Sequence, residues 1–534
     1  MDKIKKAVLI FPPNWSACVY APHLALPLLA GVARGLHTWN IETWDLSSEF
    51  YKAHAVPPRR DELITASKAG DFENLDKMYF CWEDKLRLVS AAGGDLGLLS
   101  GYQLSRYRSL PLSEAVKVIE GEGTIYTDFL ENDFLSRLVE ANPLLVGITI
   151  ASVNQVIPAI EILKLVRSEL PGSFVLLGGN VVTRLRQSPA FEVLKSLSDQ
   201  IVLFQGERSF LQTMQAIRSV GVRGARQRLP HVVQDESIPC ELWPVPCFDG
   251  ISFDDVVGVP VLPYVSTRGC YWGKCPFCAI PAGWSTTGYG GSAPARFVAK
   301  QLVQMFAETG LSRVKFVDEA MPLNKIGSLC DELKMLEVKL EWEAYARLEK
   351  GWEDAGLLES AKSQGLRKLY FGLEQAPSTS RRFFGKEDSG DPYRILQACN
   401  QTGVKVHFFC MVGLPGTSYE DAESTVEFLL DNESLIDTAD LVGFQFERGT
   451  SVPGIRPLSD GASDWATSLP YEPIDGSVLS AEQVSELEMV CQEKLWESVP
   501  RLLHPLYRLV GHWDEVRAFT SETCVLKKTI VELC

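Results

Sequence analysis

No segment of this 534-residue chain carries the long uncharged apolar run of a membrane span. Cysteine is too thinly spread, at 13 residues, to make a dense disulfide scaffold. Basic charge is in deficit, with 52 Lys and Arg against 68 Asp and Glu, and the resulting net charge of −16 argues against a broad nucleic-acid surface. Histidine is scarce, with 7 residues, so a Cys/His metal pattern has little to draw on. The apolar stretch 7–11 is too short for the core of a signal peptide and reads as a first β-strand, which places the protein in the cytoplasm.

What remains is an ordinary soluble composition, 46% hydrophobic and 22% charged, long enough for two to four domains. Apolar strands are expected at 5–11, 41–46, 144–150, 174–177 and 201–204, alternating with helical patterns. That rhythm predicts an α/β fold with a doubly wound parallel sheet over 1–225, carrying an insertion at about 50–140. Residues 226–260 are proline-rich and read as a linker. Six further strands are expected at 262–267, 313–317, 340–346, 368–371, 405–412 and 441–446. They predict a partial (β/α)6 barrel over 261–450 whose site lies at the strand C-termini. Residues 451–534 read as a mainly helical region.

Three thiols, Cys270, Cys275 and Cys278, fall within nine residues directly after the first of those barrel strands. Such a Cys-x4-Cys-x2-Cys run suits a metal centre. A structural zinc would close with a fourth Cys or His, yet no His is near and Cys330 lies 52 residues beyond Cys278 (330 − 278). Zinc with a distant fourth ligand stays open. Three ligands fit better with a [4Fe–4S] cluster whose fourth iron is free for a cofactor.

The run Arg268-Gly269-Cys270 through Cys275-Pro276-Phe277-Cys278 resembles the cluster loop of the radical S-adenosylmethionine (SAM) superfamily. The usual spacing there is Cys-x3-Cys-x2-Cys with an aromatic residue before the last Cys. Phe277 matches that position, and the extra residue within 271–274 departs from the pattern. Downstream segments carry the resemblance further. Asp318 and Glu319 stand where the SAM amine is met, and Arg347 where an Arg faces the cofactor. Glu374 stands in a Gly-x-Glu turn, Lys386 in the following Lys turn, and Gly413 and Pro415 in the glycine turn near the adenine. The resemblance implies a [4Fe–4S] cluster on the three cysteines, SAM as cofactor, and a one-electron reductant such as flavodoxin or ferredoxin.

The first domain resembles the cobalamin (B12)-binding domains fused ahead of such barrels. The matching turns hold Pro13, Ser152, Gly178, Gly179, Asn180, Gly206 and Glu207. The Asp-x-His-x-x-Gly signature that supplies a cobalt ligand elsewhere is missing, and His23 lies outside that pattern. A structural or nucleotide-binding reading of this domain stays open. The tRNA methylthiotransferases are disfavoured, since residues 1–220 contain only Cys18 and Cys81. The resemblance as a whole implies a cobalamin-dependent methyltransferase acting on an unactivated carbon of a small molecule or peptide. Cyclisation or ring rearrangement with the same cofactors, and a non-catalytic iron–sulfur scaffold, are the alternatives.

Overall fold

The structure is a computed structural model, described at residues 4–13, 21–54, 60–75, 77–78, 112–235, 238–253, 260–381, 385–386, 389–458, 464–474, 476 and 478–503. Cys18, Cys81, Phe383, Phe384, Cys524 and Cys534 lie outside these residues, as does the end of the C-terminal region from residue 504.

Six strands, β1 (Lys5–Phe11), β2 (Trp39–Asp45), β3 (Leu145–Thr149), β4 (Phe174–Gly178), β5 (Gln200–Phe204) and β6 (Val232–Asp235), form one parallel sheet in the order β2-β1-β3-β4-β5-β6. Successive side chains of β1 enter different cores. Val8 and Ile10 pack on one face of the sheet, and Ala7, Leu9 and Phe11 on the other. The period of two, apolar on both sides, is that of a strand covered by helices above and below. The segment expected to be a linker from residue 226 instead contributes β6, a short edge strand paired in register with β5 from Ile201↔Val232 to Phe204↔Asp235. The described parts of the 50–140 insertion pack onto the sheet. Phe50, Ala66, Leu75, Val118, Tyr126 and Phe129 from it complete the core on one face of the sheet.

The strand order reverses between β1 and β3, and such a switch point opens a crevice at the strand C-termini. Gln155 ties that opening together. Its buried side chain donates to Pro12 O (2.8 Å) and accepts from Ala151 N (2.8 Å) and Ser152 N (3.0 Å).

The second sheet is also parallel, and runs β14-β13-β12-β11-β10-β7. Its strands are β7 (Leu262–Tyr264), β10 (Arg313–Phe316), β11 (Glu341–Arg347), β12 (Leu366–Glu374), β13 (Lys405–Val412) and β14 (Thr438–Gly443). Each expected barrel strand has its counterpart here. The first ends earlier than expected, at Tyr264, and the chain turns into an antiparallel ribbon of β8 (Thr267–Gly269) and β9 (Tyr289–Ser292) that brackets the cysteines. The region after 450 adds a two-stranded antiparallel pair, β15 (Ile455–Pro457) with β16 (Tyr471–Pro473), and the helix Ala481–Ser498. It also grips the first domain, because fully buried Trp465 joins the N-terminal core.

Candidate active site

The cysteine loop leaves the barrel through a tightly fixed ribbon. Gly269 has φ +76°, and a Cβ there would sit 2.5 Å from Gly288 O, so glycine is required. Buried Asp318 holds the ribbon's approach by accepting from Ser266 N, Ser266 Oγ and Thr267 N, each at 2.6 Å. Lys325 Nζ donates to Ser266 O (2.6 Å) and Ser292 Oγ (2.8 Å) on the same ribbon. Asp318 was expected to face SAM; its carboxylate is engaged with this backbone, and its neighbour Glu319 is the one that lines the cavity described below.

Cys270, Cys275 and Cys278 are free, partly exposed thiols. The amide of Cys278 donates to Cys275 O (3.1 Å), which closes the second half of the loop into a turn. Burial pushes the Cys275 thiol up and the Cys278 thiol up to about 12, and the neighbouring sulfurs add to the effect. Iron binding must therefore displace protons from these thiols. Among the described residues no three His, Cys, Asp or Glu side chains are grouped to hold a single metal ion. Three thiols on one loop suit an iron–sulfur cluster, with one thiolate per iron.

The longer gap between Cys270 and Cys275 carries structural contacts. The Trp272 indole donates from Nε1 to Gly385 O (3.0 Å) and packs under the Arg347 guanidinium, 3.8 Å from the ring centroid. Tyr271 Oη and Arg347 both donate to Glu349 Oε1, at 2.8 and 3.0 Å. Arg347 thus braces the cluster loop from the end of β11. Close by, Lys386 pairs with Glu374 and donates to Gly372 O (2.9 Å). A Cβ on Gly372 would meet the ends of this pair, Glu374 Oε1 at 2.7 Å and Lys386 Nζ at 3.0 Å, so a side chain there would push the pair aside. Glu374 itself adopts φ +58°, a left-handed conformation costly for a side-chain-bearing residue. Lys386, Glu374 and Arg347 all act electrostatically on Cys275.

Gly413 has φ +69°, and a Cβ there would lie 2.7 Å from Val484 Cγ2. The helix Ala481–Ser498 therefore presses on the glycine turn that continues into Pro415. Phe277 packs against the apolar cluster that this helix shares with Phe444, Phe446 and Tyr471. Tyr345, Tyr370 and His407 lie on the strand face opposite Trp342, Ala344 and Ala346. They stack there with Phe409.

A cavity of about 670 Å³ lies between the two sheets. The first domain contributes Gly178, Gly179, Asn180, Gly206 and Glu207 to its wall, together with Leu24, Leu28 and Leu29. Phe277, Cys278, Trp284, Val317, Glu319 and Met411 face them from the barrel side. Five of the seven turn residues expected around cobalamin line this space; Pro13 and Ser152 stand back from it at the β1 and β3 ends. Gly179 has φ +115°, and a Cβ would strike Ile150 O at 2.3 Å, so the wall stays flat at that point. Glu319 accepts from Trp284 Nε1 (3.0 Å), yet burial, with Asp318 beside it, raises its pKa. His23 also opens onto the cavity, its ring stacked on Phe11 at 4.7 Å.

Residues 264–429 match the sequence model of the Radical SAM superfamily. This segment is a radical SAM domain. The domain brings with it a [4Fe–4S] cluster and SAM as cofactors, and the Cys270, Cys275 and Cys278 loop lies inside the matched residues. No curated protein matches the chain in sequence. Among solved structures, the chain is similar to the radical SAM methyltransferase TsrM from Kitasatospora setae with cobalamin and [4Fe–4S] cluster bound, at 14% identity and a TM-score of 0.58, over 99% of this chain and 100% of that one. TsrM with tryptophan substrate and the SAM analogue aza-SAM gives 13% identity and a TM-score of 0.56, over 99% of each chain. The cobalamin-dependent SAM radical enzyme OxsB with aqua-cobalamin bound gives 13% identity and a TM-score of 0.58, over 92% of this chain and 67% of that one. At such identities the likeness speaks for the fold. The radical SAM barrel here is preceded by a Rossmann-like sheet in the arrangement of cobalamin-dependent radical SAM enzymes.

Sequence reasoning missed Arg268, Gln205, Trp243 and Trp284. Arg268 was in plain view two residues before Cys270, but its partners Gln205 and Glu207 are 63 and 61 residues away along the chain. A charged residue inside an otherwise apolar strand end is the signal that could have marked it.

Proposed function

We propose that the protein is a cobalamin-dependent radical SAM methyltransferase acting on an unactivated carbon of a small molecule or peptide. One observation carries this reading: a single cavity has the glycine turns of a Rossmann-like sheet on one side and the cysteine loop of a radical SAM domain on the other. Cys270, Cys275 and Cys278 would hold the cluster. Glu319 would receive the SAM amine, because it is the acidic residue of the Asp318-Glu319 pair that reaches the cavity. Arg347, Glu374 and Lys386 would shape the charge around the cluster loop, and Gly413, Pro415 and Phe277 the apolar side of the SAM pocket. Gly178, Gly179, Asn180 and Gly206 would seat a flat corrin against the sheet edge, with Pro13 and Ser152 shaping the crevice behind.

When bound, cobalamin supplies a methyl carrier, and the cluster with SAM supplies one-electron bond cleavage. The chain's own contribution is orientation and exclusion of water. Leu24, Leu28, Leu29, Val317 and Met411 make the cavity wall largely apolar, and the close-packed domains shield reactive species from solvent. A one-electron reductant, flavodoxin or ferredoxin, is the expected protein partner. Among the described residues no helix is long and apolar enough to cross a membrane.

The test is product analysis of the anaerobically reconstituted, reduced protein incubated with SAM and cobalamin. Release of both 5′-deoxyadenosine and S-adenosylhomocysteine supports methyl transfer. Deoxyadenosine alone replaces it with cyclisation or rearrangement, and release of neither contradicts the enzymatic reading.

A further inference from the structure

Arg268 is 1% exposed and stands two residues before the first cluster cysteine. Its guanidinium reaches across to the first domain. It donates to Gln205 Oε1 and to Glu207 Oε1, both on the turn that follows β5 in the Rossmann-like sheet. Its planar face lies over the Trp243 ring, 4.3 Å from the centroid. Gln205 and Glu207 are themselves buried, at 4% and 7% exposure. The turn is held from its other side too, since Gln205 N donates to Asp235 O (2.9 Å) and Gly206 N to Glu207 Oε2 (3.1 Å). Burial alone would raise the Glu207 pKa, but the Arg268 charge and hydrogen bond hold it below the usual range.

A planar guanidinium with fixed donor directions reads two acceptors and one aromatic face at once, which a lysine cannot do. Arg268, Gln205, Gly206 and Glu207 all line the cavity. The peripheral contact between the domains is of a different kind: Arg34 pairs with Glu308, with side chains 27% and 34% exposed. The Arg268 contact joins the cluster loop directly to a turn that borders the cofactor space, and the Arg184–Glu447 pair crosses between the domains at the wall of the same cavity.

We infer that Arg268 is a positioning residue that locks the cluster loop to the 205–207 turn, so that a group seated on that turn is sensed at the cluster. The first half of this statement stands on geometry alone. The second half rests on the proposed seating of cobalamin against that turn.

The experiment has two arms, both on anaerobically reconstituted full-length protein. In the first, hydrogen exchange is followed by mass spectrometry in wild type, Arg268→Gln, Glu207→Gln and the control Arg34→Gln. Arg268→Gln is expected to speed exchange in peptides covering 204–210. Glu207→Gln is expected to speed it in peptides covering 266–279, while Arg34→Gln changes neither. Changes confined to the mutated domain overturn the lock. If Arg268→Gln does not fold, the Glu207→Gln arm decides alone.

In the second arm, aquacobalamin is added and the sample reduced, and the electron paramagnetic resonance signal of the cluster is recorded. Wild type is expected to show magnetic interaction with cob(II)alamin. Arg268→Gln should lose or alter that interaction with cobalamin still bound, and Arg268→Lys should fail to restore it. An unaltered interaction in Arg268→Gln overturns the sensing. If wild type takes up no cobalamin, the cobalamin reading and the sensing fall together, while the exchange arm still decides the lock.

Discussion

In the N-terminal sheet both faces of the central strands are hydrocarbon. Val8, Ile10, Val146 and Ile148 fill one side, and Ala7, Leu9, Leu145 and Leu176 the other. In the barrel sheet only the outer face is of this kind, with Trp342, Ala344, Leu369 and Phe408 packed under the helices. Its inner face carries charge. Lys315 lies 3.3 Å from Glu343, and Tyr370 Oη donates to Glu343 Oε2 at 3.0 Å. Lys368 donates to Asp437 Oδ2 (2.5 Å) and Thr438 Oγ1 (2.8 Å), and His407 Nδ1 meets that same hydroxyl at 2.8 Å. Both sheets have six parallel strands, yet a doubly wound sheet can offer a ligand only its C-terminal edge. A barrel has an interior to furnish, and this one fills it with a paired polar network and stacked aromatic rings beneath the cluster loop.

The contrast can be broken most sharply at Lys368. Its ammonium is fully buried, so Lys368→Met leaves Asp437 without its counter-charge and should cost about 3–5 kcal/mol, read as a lowered denaturation midpoint. Lys368→Met combined with Asp437→Leu should recover most of that loss; a double variant as unstable as the single one would show that shape rather than charge pairing governs the lumen. Hydrocarbon loss in the other sheet comes next. Leu9→Ala should cost about 2–5 kcal/mol through the cavity it leaves, with no rescue available from a second substitution.

A smaller effect should appear with pH. Burial pulls the Lys325 pKa down to about 8 in the folded chain, against 10.5 for the free side chain. Between these values the unfolded chain binds more protons than the folded one, so this group makes the protein more stable as pH rises from 8 towards 10.5. Comparing denaturation midpoints of wild type and Lys325→Met across that window should isolate a contribution on the order of 1–3 kcal/mol. An identical pH dependence in the variant would contradict the burial argument. The smallest effect is expected at the half-exposed Arg34–Glu308 pair, where Arg34→Gln should change stability by about 1 kcal/mol or less, and less again at high salt.

Much of the fold was legible because parallel strands announce themselves as short apolar runs between helical patterns. All six barrel strands and the first five of the Rossmann-like sheet fell near their expected positions. β6 did not, because Val232–Asp235 is a four-residue edge strand among prolines, with too little hydrocarbon to stand out. Cys270, Cys275 and Cys278 stood out by their spacing, and Asp318 and Glu319 only through the resemblance of the segments downstream. What each neighbour does was not legible. Whether Asp318 or Glu319 reaches the cavity depends on backbone amides at Ser266 and Thr267, fixed only once β7, β8 and β10 are assembled. The longer gap at 271–274 was a bare departure from the usual spacing until the contacts of Trp272 with Arg347 and Gly385 were known. The Arg268 contact with Glu207 joins two domains and has no local pattern at all.

In the proposed reading two cofactors share one cavity, one held by the cysteine loop and the other by the Rossmann-like sheet edge. It is tested most directly by iron and cobalt analysis of anaerobically reconstituted wild type beside the variant with Cys270, Cys275 and Cys278 all changed to Ala. The account predicts cluster and cobalamin in equal amounts in wild type, and iron lost with cobalamin retained in the variant. Iron kept by the variant, or no cobalt taken up by wild type, would contradict it.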